Sequence, residues 1–219
     1  MAAPTLETPR FRLRAYTPSD RLQFVDTHTD DEVMAHVGGA LSPEAAGALF
    51  DSISDGSRPR IFCAWCAVER KQQHSSSGSS DEADDVVVGH AALLRTGEGE
   101  DGGTDHQLEI GYIISRRFWG RGYATEVADA VTQHALGALR KPRLTANVDA
   151  DHAASIRVLL KIGMAPVERV LDDPGDLTYE AVAGKWESRM QAPVAVVGMA
   201  AADASSSTEK WGGVSDAAH

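Results

Sequence analysis

Residues 108–125, LEIGYIISRRFWGRGYAT, constrain this chain more than any other stretch, because an apolar strand runs there into a glycine-punctuated basic turn and then opens a helix. Leu108, Ile110, Ile113 and Ile114 are strand-type residues, Gly120 and Gly122 permit positive φ and leave room beside the backbone, and Tyr123 begins a run at helical spacing. Successive backbone N–H groups facing outward from such a turn, with the partial positive charge of a helix start behind them, attract a phosphorylated ligand. Arg116, Arg117 and Arg121 add full charges at the same place. The alternative for these arginines is a solvated basic loop.

Two familiar phosphate loops are excluded by letter. A Walker loop needs Lys and then Ser or Thr after its second glycine, whereas Tyr123 and Ala124 follow Gly122; a dinucleotide fingerprint needs a third glycine where Thr125 stands. Gly97-x-Gly99-x-x-Gly102 does match that fingerprint, but Glu98, Glu100 and Asp101 would repel phosphate and a strand follows where a helix is required, so it reads as a loop. What remains is Arg117-x-x-Gly120-x-Gly122. It resembles the Gln/Arg-x-x-Gly-x-Gly/Ala motif with which GNAT-superfamily N-acetyltransferases hold the pyrophosphate of acetyl-CoA, and the wider text EIGYIISRRFWGRGYATE resembles the branch that acetylates protein N-termini, including those of ribosomal proteins.

Two further stretches carry the same likeness. The opening LETPRFRLR is similar to the branch's Leu-x-Thr-x-Arg-x-x-Leu-Arg start, and residues 148–164 are similar to its Val-x-x-x-Asn-x-x-Ser-x-x-x-Leu-x-x-x-Gly-Phe text. In that second match the asparagine that usually bonds the cofactor arm falls on His152, the serine on Ser155, and Gly-Phe on Gly163 and Met164. The tyrosine with which many members reprotonate CoA thiolate falls on Leu159, leaving Ser155 as the hydroxyl of this stretch. Ser155 otherwise bonds local backbone in the first turn of a helix.

The resemblance implies an α/β acetyltransferase fold: one twisted, mostly antiparallel sheet of about seven strands, helices on both faces, split near residues 108–115 where acetyl-CoA enters. It implies that backbone N–H groups of Ile113, Ile114 and Ser115 pair with the pantetheine arm, one of them serving as oxyanion donor. Pyrophosphate would then meet Gly120, Arg121, Gly122, Tyr123, Ala124 and Thr125, assisted by Arg116, Arg117 or Arg121. Glu109 lies where several members carry their base; in an apolar strand desolvation would raise its pKa and suit it to that work, and the alternative is a bond to a neighbour. Tyr112, on the opposite strand face from Ile113, lines the site or fills the core. Acetyl would pass by direct attack to a primary amine, a protein N-terminus or a small molecule, with neither a covalent enzyme intermediate nor a metal. The rival from another class is a non-catalytic CoA-binding or interaction module, suggested by His152 and Leu159.

The rest of the chain frames this segment. Residues 11–15 alternate as a short strand; Ser19 or Asp20 caps a helix through His28; Ser42, Pro43 and Glu44 open a second helix. In the family's architecture this early helical region walls the acceptor side. Strands follow at 60–68, 86–94, 143–148, 166–171 and 177–183, with a helix running on from Tyr123 through Leu139 and a shorter one from Ser155 to Lys161, ended by Gly163. His134 falls in the body of the longer helix and reads as structural or solvated. Residues 69–85, 96–105 and 191–219 contribute −3, −4 and −2 of the net −11, so the acidity belongs to a flexible insert, a loop and a disordered tail, and argues against a nucleic-acid partner. Cys63 and Cys66 face opposite sides of a strand with no second Cys or His pair, which makes them core thiols and disfavours a metal. With no spanning run and no signal-peptide pattern, the expectation is a cytoplasmic protein away from membranes, a monomer or homodimer, whose acetyltransferase domain covers residues 1–190.

Overall fold

The computed structural model describes residues 3–69, 85–96, 107–167, 175–186 and 195–197. Nearly all of the insert at 69–85, the acidic loop at 96–105 with its Gly97–Gly102 motif, and most of the tail at 191–219 lie outside the described residues.

Among the described residues, nine strands form one sheet in the order β7-β8-β6-β5-β4-β3-β2-β1-β9. They are β1 (Thr5–Glu7), β2 (Phe11–Arg14), β3 (Ile61–Glu69), β4 (Val87–Thr96), β5 (Gln107–Ile114), β6 (Arg143–Asp149), β7 (Ala165–Val167), β8 (Asp176–Val182) and β9 (Ala195–Val197). Every neighbouring pair is antiparallel except β5 with β6. The two strands beyond the expected seven are three residues each, too short to show alternation. β9 corrects the expectation of a disordered tail for residues 195–197. Leu6 pairs with Val196, so Ala-Val-Val supplies the partner that the edge of β1 lacks.

The helices are α1 (Arg21–His28), α2 (Asp31–Met34), α3 (Pro43–Ser54), α4 (Tyr123–Gln133), α5 (Ala153–Lys161) and α6 (Ala183–Trp186). The start of α3 is as expected, with Ser42 Oγ accepting from the Ala45 N–H at 3.2 Å and Pro43 at the first helical position. Asp20 does not cap α1 with its side chain, because Arg14 holds both carboxylate oxygens at 2.7 and 3.0 Å. The long helix does not run regularly to Leu139. At His134–Ala138 it widens into a π turn, where the Leu139 N–H reaches back five residues to His134 O. His134 is buried edge-on against Trp65, the structural role expected of it.

Strand alternation sorts the two faces. Leu108, Ile110 and Ile114 of β5 join Tyr123, Val127 and Val131 of α4 and Leu159 of α5 in one apolar core. On the other face His90, opposite Ile113 in the β4–β5 register, packs against Phe24 of α1 at 4.9 Å between ring centroids, and Phe24 meets Phe50 of α3 at 5.4 Å. Cys63 and Cys66 are buried free thiols, raised in pKa by burial.

Candidate active site

The parallel pairing of β5 with β6 holds at Leu108–Leu144 and Glu109–Thr145, while β5 stays paired with β4 as far as Ile114–Gly89. Past Glu109, therefore, β5 has a backbone edge that faces a split. Which amides face it follows from the antiparallel register. Ser115 N–H donates to Val88 O at 3.0 Å, so 88/115 is a hydrogen-bonded pair, and by alternation so is His90/Ile113. The backbone groups of Ile110, Tyr112 and Ile114 then point toward β6. Two bonds arriving from that side agree: Thr145 Oγ1 donates to Leu108 O (3.2 Å) and Trp119 Nε1 to Ile114 O (2.7 Å).

This register corrects the expectation for Ile113 and Ser115. The Ile113 N–H faces β4, the Ser115 N–H is taken by Val88, and Ser115 Oγ is bonded to Thr27 Oγ1 at 2.8 Å. Ile114 alone of the three presents its amide to the split.

Beyond Ile114 the chain makes a short 3-10 turn, Arg116–Phe118, then passes through Gly120 (φ +75°) and Gly122 (φ +72°), the left-handed conformations expected of them. A Cβ on Gly120 would meet nothing within 4 Å, so the space above the turn is open. Gly122 is the N-cap of α4 and brings no side chain to it; the first amide to find a backbone partner is Glu126, on Gly122 O at 3.3 Å. The N–H groups of Tyr123, Ala124 and Thr125 come before it, in the turn where a helix has no carbonyl to offer. Bare amides, open space and helix charge fit an anionic diphosphate.

The three arginines of the turn take different directions. Arg116 pairs with Glu32 of α2 at 2.9 Å, and Arg117 reaches Gln23 of α1 at 3.2 Å while lying over the Phe118 ring. Both extend along the α1–α2 side of the turn, where they border a cavity of about 390 Å³ with Asp26, Thr27, Asp30 and Ser115. Only Arg121, exposed and in contact with the Phe118 ring, keeps its charge beside the glycines. The residue that braces the turn is Arg10, whose guanidinium donates to Arg121 O (2.9 Å) and Gly122 O (3.3 Å) and is clamped by Glu126 at 2.6 Å. In the sequence Arg10 stands at the arginine of the Leu-x-Thr-x-Arg opening, but its tie to this turn spans more than a hundred positions and leaves no local signal.

At the split itself, Tyr112 lies on the α4–α5 face and its hydroxyl is 2.8 Å from Ser155 Oγ in the first turn of α5. Burial pushes the Tyr112 phenol up to about 12, partly opposed by the Ser155 bond. Leu159 and Met164 are fully in the core, so neither has a polar role. Glu109 is half-buried where the two strands still pair, and accepts from Asn147 Nδ2 at 3.2 Å; Asn147 in turn accepts from Thr178 Oγ1 at 2.9 Å. His152 is the N-cap residue of α5, without a capping bond, and stacks on His36 from the turn after α2. Tyr112 thus takes the site-lining place of the two offered for it, whereas His36 stands in no motif that marks it as a site residue. A second cavity, about 340 Å³ between the end of α3 and the start of β3, contains none of these groups. Among the described residues no cluster of His, Cys, Asp or Glu is arranged to hold a metal ion.

Comparison with known proteins agrees with this geometry. Residues 10–165 match the acetyltransferase (GNAT) domain family. YkkB of Bacillus subtilis is 41% identical over 172 residues, covering 74% of this chain and 86% of that one. YoaA of the same organism, named as an N-acetyltransferase, is 29% identical over 162 residues, covering 73% and 82%. The spermidine N-acetyltransferase of Vibrio cholerae, solved with CoA and spermine, superposes with a TM-score of 0.61 at 13% identity, over 82% of this chain and 99% of that one, and so shares the fold. With its split sheet, its bare helix start and a family match across most of its length, the chain belongs to the GNAT acetyltransferases.

Proposed function

We propose that this protein transfers the acetyl group of acetyl-CoA to a primary amine by direct attack, the acceptor being a protein N-terminus or a small amine. The observation that supports it most is the continuity of two features. The Ile114 amide opens onto the split, and nine to eleven residues later the bare amides of Tyr123, Ala124 and Thr125 offer an anion site. A ligand with an amide-bearing arm joined to a diphosphate matches both at once. The Vibrio enzyme of the same fold carries CoA and a polyamine.

In this reading the amine nitrogen forms a bond to the thioester carbon, the C–S bond breaks, and the nitrogen loses a proton while the departing sulfur gains one. Glu109 takes the first proton, held at the base of the split by Asn147. Ser155, bonded to Tyr112, supplies the second. The Ile114 N–H is the backbone donor placed to stabilise negative charge on the thioester oxygen. Arg121 is the side-chain cation left for the diphosphate, Arg116 and Arg117 being engaged toward α1 and α2.

The test is thiol release from acetyl-CoA offered with a panel of N-terminal peptides and polyamines, with mass spectrometry of the products. Acetylated amine and stoichiometric free thiol are expected. Tight CoA binding with no turnover across the panel would overturn the catalytic reading in favour of a binding module.

A further inference from the structure

The turn after α2 carries His36, which makes two contacts no motif foretold. Its Nδ1 lies 2.8 Å from Asp149 Oδ2 at the end of β6, and its ring stacks on His152 with centroids 4.4 Å apart and planes 15° from parallel. The Asp149 carboxylate is fixed at its other oxygen too, accepting from the Asp151 N–H at 2.8 Å. The α1–α2 segment thus touches both lips of the split. Thr27 and Glu32 meet Ser115 and Arg116 after β5, and His36 meets Asp149 at the end of β6 and His152 beyond it.

His152 itself begins α5, three residues before Ser155, whose hydroxyl reaches across the split to Tyr112 of β5. Whatever threads the split from the Ile114 amide to Tyr112 therefore passes the first turn of α5. An imidazole at an N-cap has two free torsions and makes no capping bond here, so left alone it would sample several orientations. A flat ring stacked on it removes that freedom.

The geometry points to His36 as a positioning residue: anchored by Asp149, it fixes the His152 ring beside the split, and so raises affinity for the pantetheine arm of the acyl donor. This rests on the proposal that acetyl-CoA occupies the split. It also gives a physical account of how a ring stands where the family pattern has an amide. The stack is consistent with the depressed pKa of His152, lowered first by burial and then by the neighbouring His36. A neutral ring can both donate and accept toward an arm whose amides do the same.

Titration calorimetry with CoA on the full chain separates stacking from hydrogen bonding. His36→Ala removes both contacts, His36→Asn keeps a donor for Asp149 but no ring, and His36→Phe keeps the ring but no donor. We expect His36→Ala and His36→Asn to weaken CoA binding about five- to tenfold, the scale of one aromatic pair, while His36→Phe stays within about threefold of the parent. In a His152→Ala background, His36→Ala is expected to add less than twofold. A merely structural role would lower the melting temperature in all three variants without this ranking. Equal affinity of the parent and His36→Ala, or full additivity with His152→Ala, would overturn the inference and leave the acetyltransferase reading standing. A parent protein that binds no CoA at all would remove both.

Discussion

Gly122 offers the sharpest test of where the diphosphate sits, through a pair of substitutions that share one cost and differ in another. Its φ of +72° is left-handed, which costs a residue with a Cβ about 1–2 kcal/mol. Space does not enter, because a Cβ there would be 3.8 Å from Arg10 Nη2, an ordinary contact. Both Gly122→Ala and Gly122→Glu should therefore lose about 2–4 °C of melting temperature per kcal/mol of strain. They part in the charge. A glutamate at the N-cap meets the positive end of α4, worth about 0.3–1 kcal/mol, so Gly122→Glu should be at least as stable as Gly122→Ala. Toward a bound diphosphate the same carboxylate is repulsive. At about 6 Å and an effective dielectric of about 20–40, the nearer phosphate charge costs about 1.4–2.8 kcal/mol, and salt screens the farther one. The expected outcome is an inversion: Gly122→Glu melts no lower than Gly122→Ala but binds CoA about 10- to 100-fold more weakly, by calorimetry at 0.15 M salt. CoA affinities within twofold of each other would refute the placement of the anion at this helix start.

Other predictions concern the proton path and the core. Ser155→Ala and Tyr112→Phe should each lower kcat about 10²-fold or more with CoA affinity within twofold of the parent, since proton transfer and arm binding are separate tasks; parallel losses in affinity would point to a packing role. Glu109→Gln should lower kcat/KM about 10²–10⁴-fold and remove the acidic limb of its pH profile, and an unchanged profile would exclude Glu109 as the proton acceptor. Burial drives His90 down to about 3, with the charge of nearby His28 adding to the effect. The folded state thus resists protonating a group that titrates near 6.5 when unfolded. Its stabilising contribution is complete above about pH 6.5 and is lost as pH falls from there toward 3, at up to about 1.4 kcal/mol per pH unit. Urea denaturation at pH 7.5, 6 and 5 should show this slope in the parent and a shallower one in His90→Phe; equal slopes would assign acid sensitivity to other groups.

The parts of the fold that were legible in the sequence are those specified by neighbours along the chain. The Ser42-Pro43 helix start, the positive φ of Gly120 and Gly122 and the strand leading into them depend on a few adjacent residues, and each lies where expected. The site was legible only as far as its backbone. Which of Ile113, Ile114 and Ser115 opens onto the split depends on the β4–β5 register, a pairing of residues more than twenty positions apart. The destinations of Arg116 and Arg117 depend on Glu32 and Gln23, whose approach is set by how α1 and α2 dock. Sequence can state that a turn is basic, but the direction of each side chain is settled by the nearest carboxylate or amide once the layers have packed.

The brace behind the glycine turn has a bearing on synthesis and refolding. Thr8 and Arg10 are synthesised well before the carboxylate that secures them, which is 116 to 118 positions downstream. Closing so wide a loop is slow compared with forming any single hairpin. Coenzyme capture should consequently be among the last abilities a refolding molecule acquires, well after its helical signal returns, and a nascent chain halted before residue 126 would have strands but no grip.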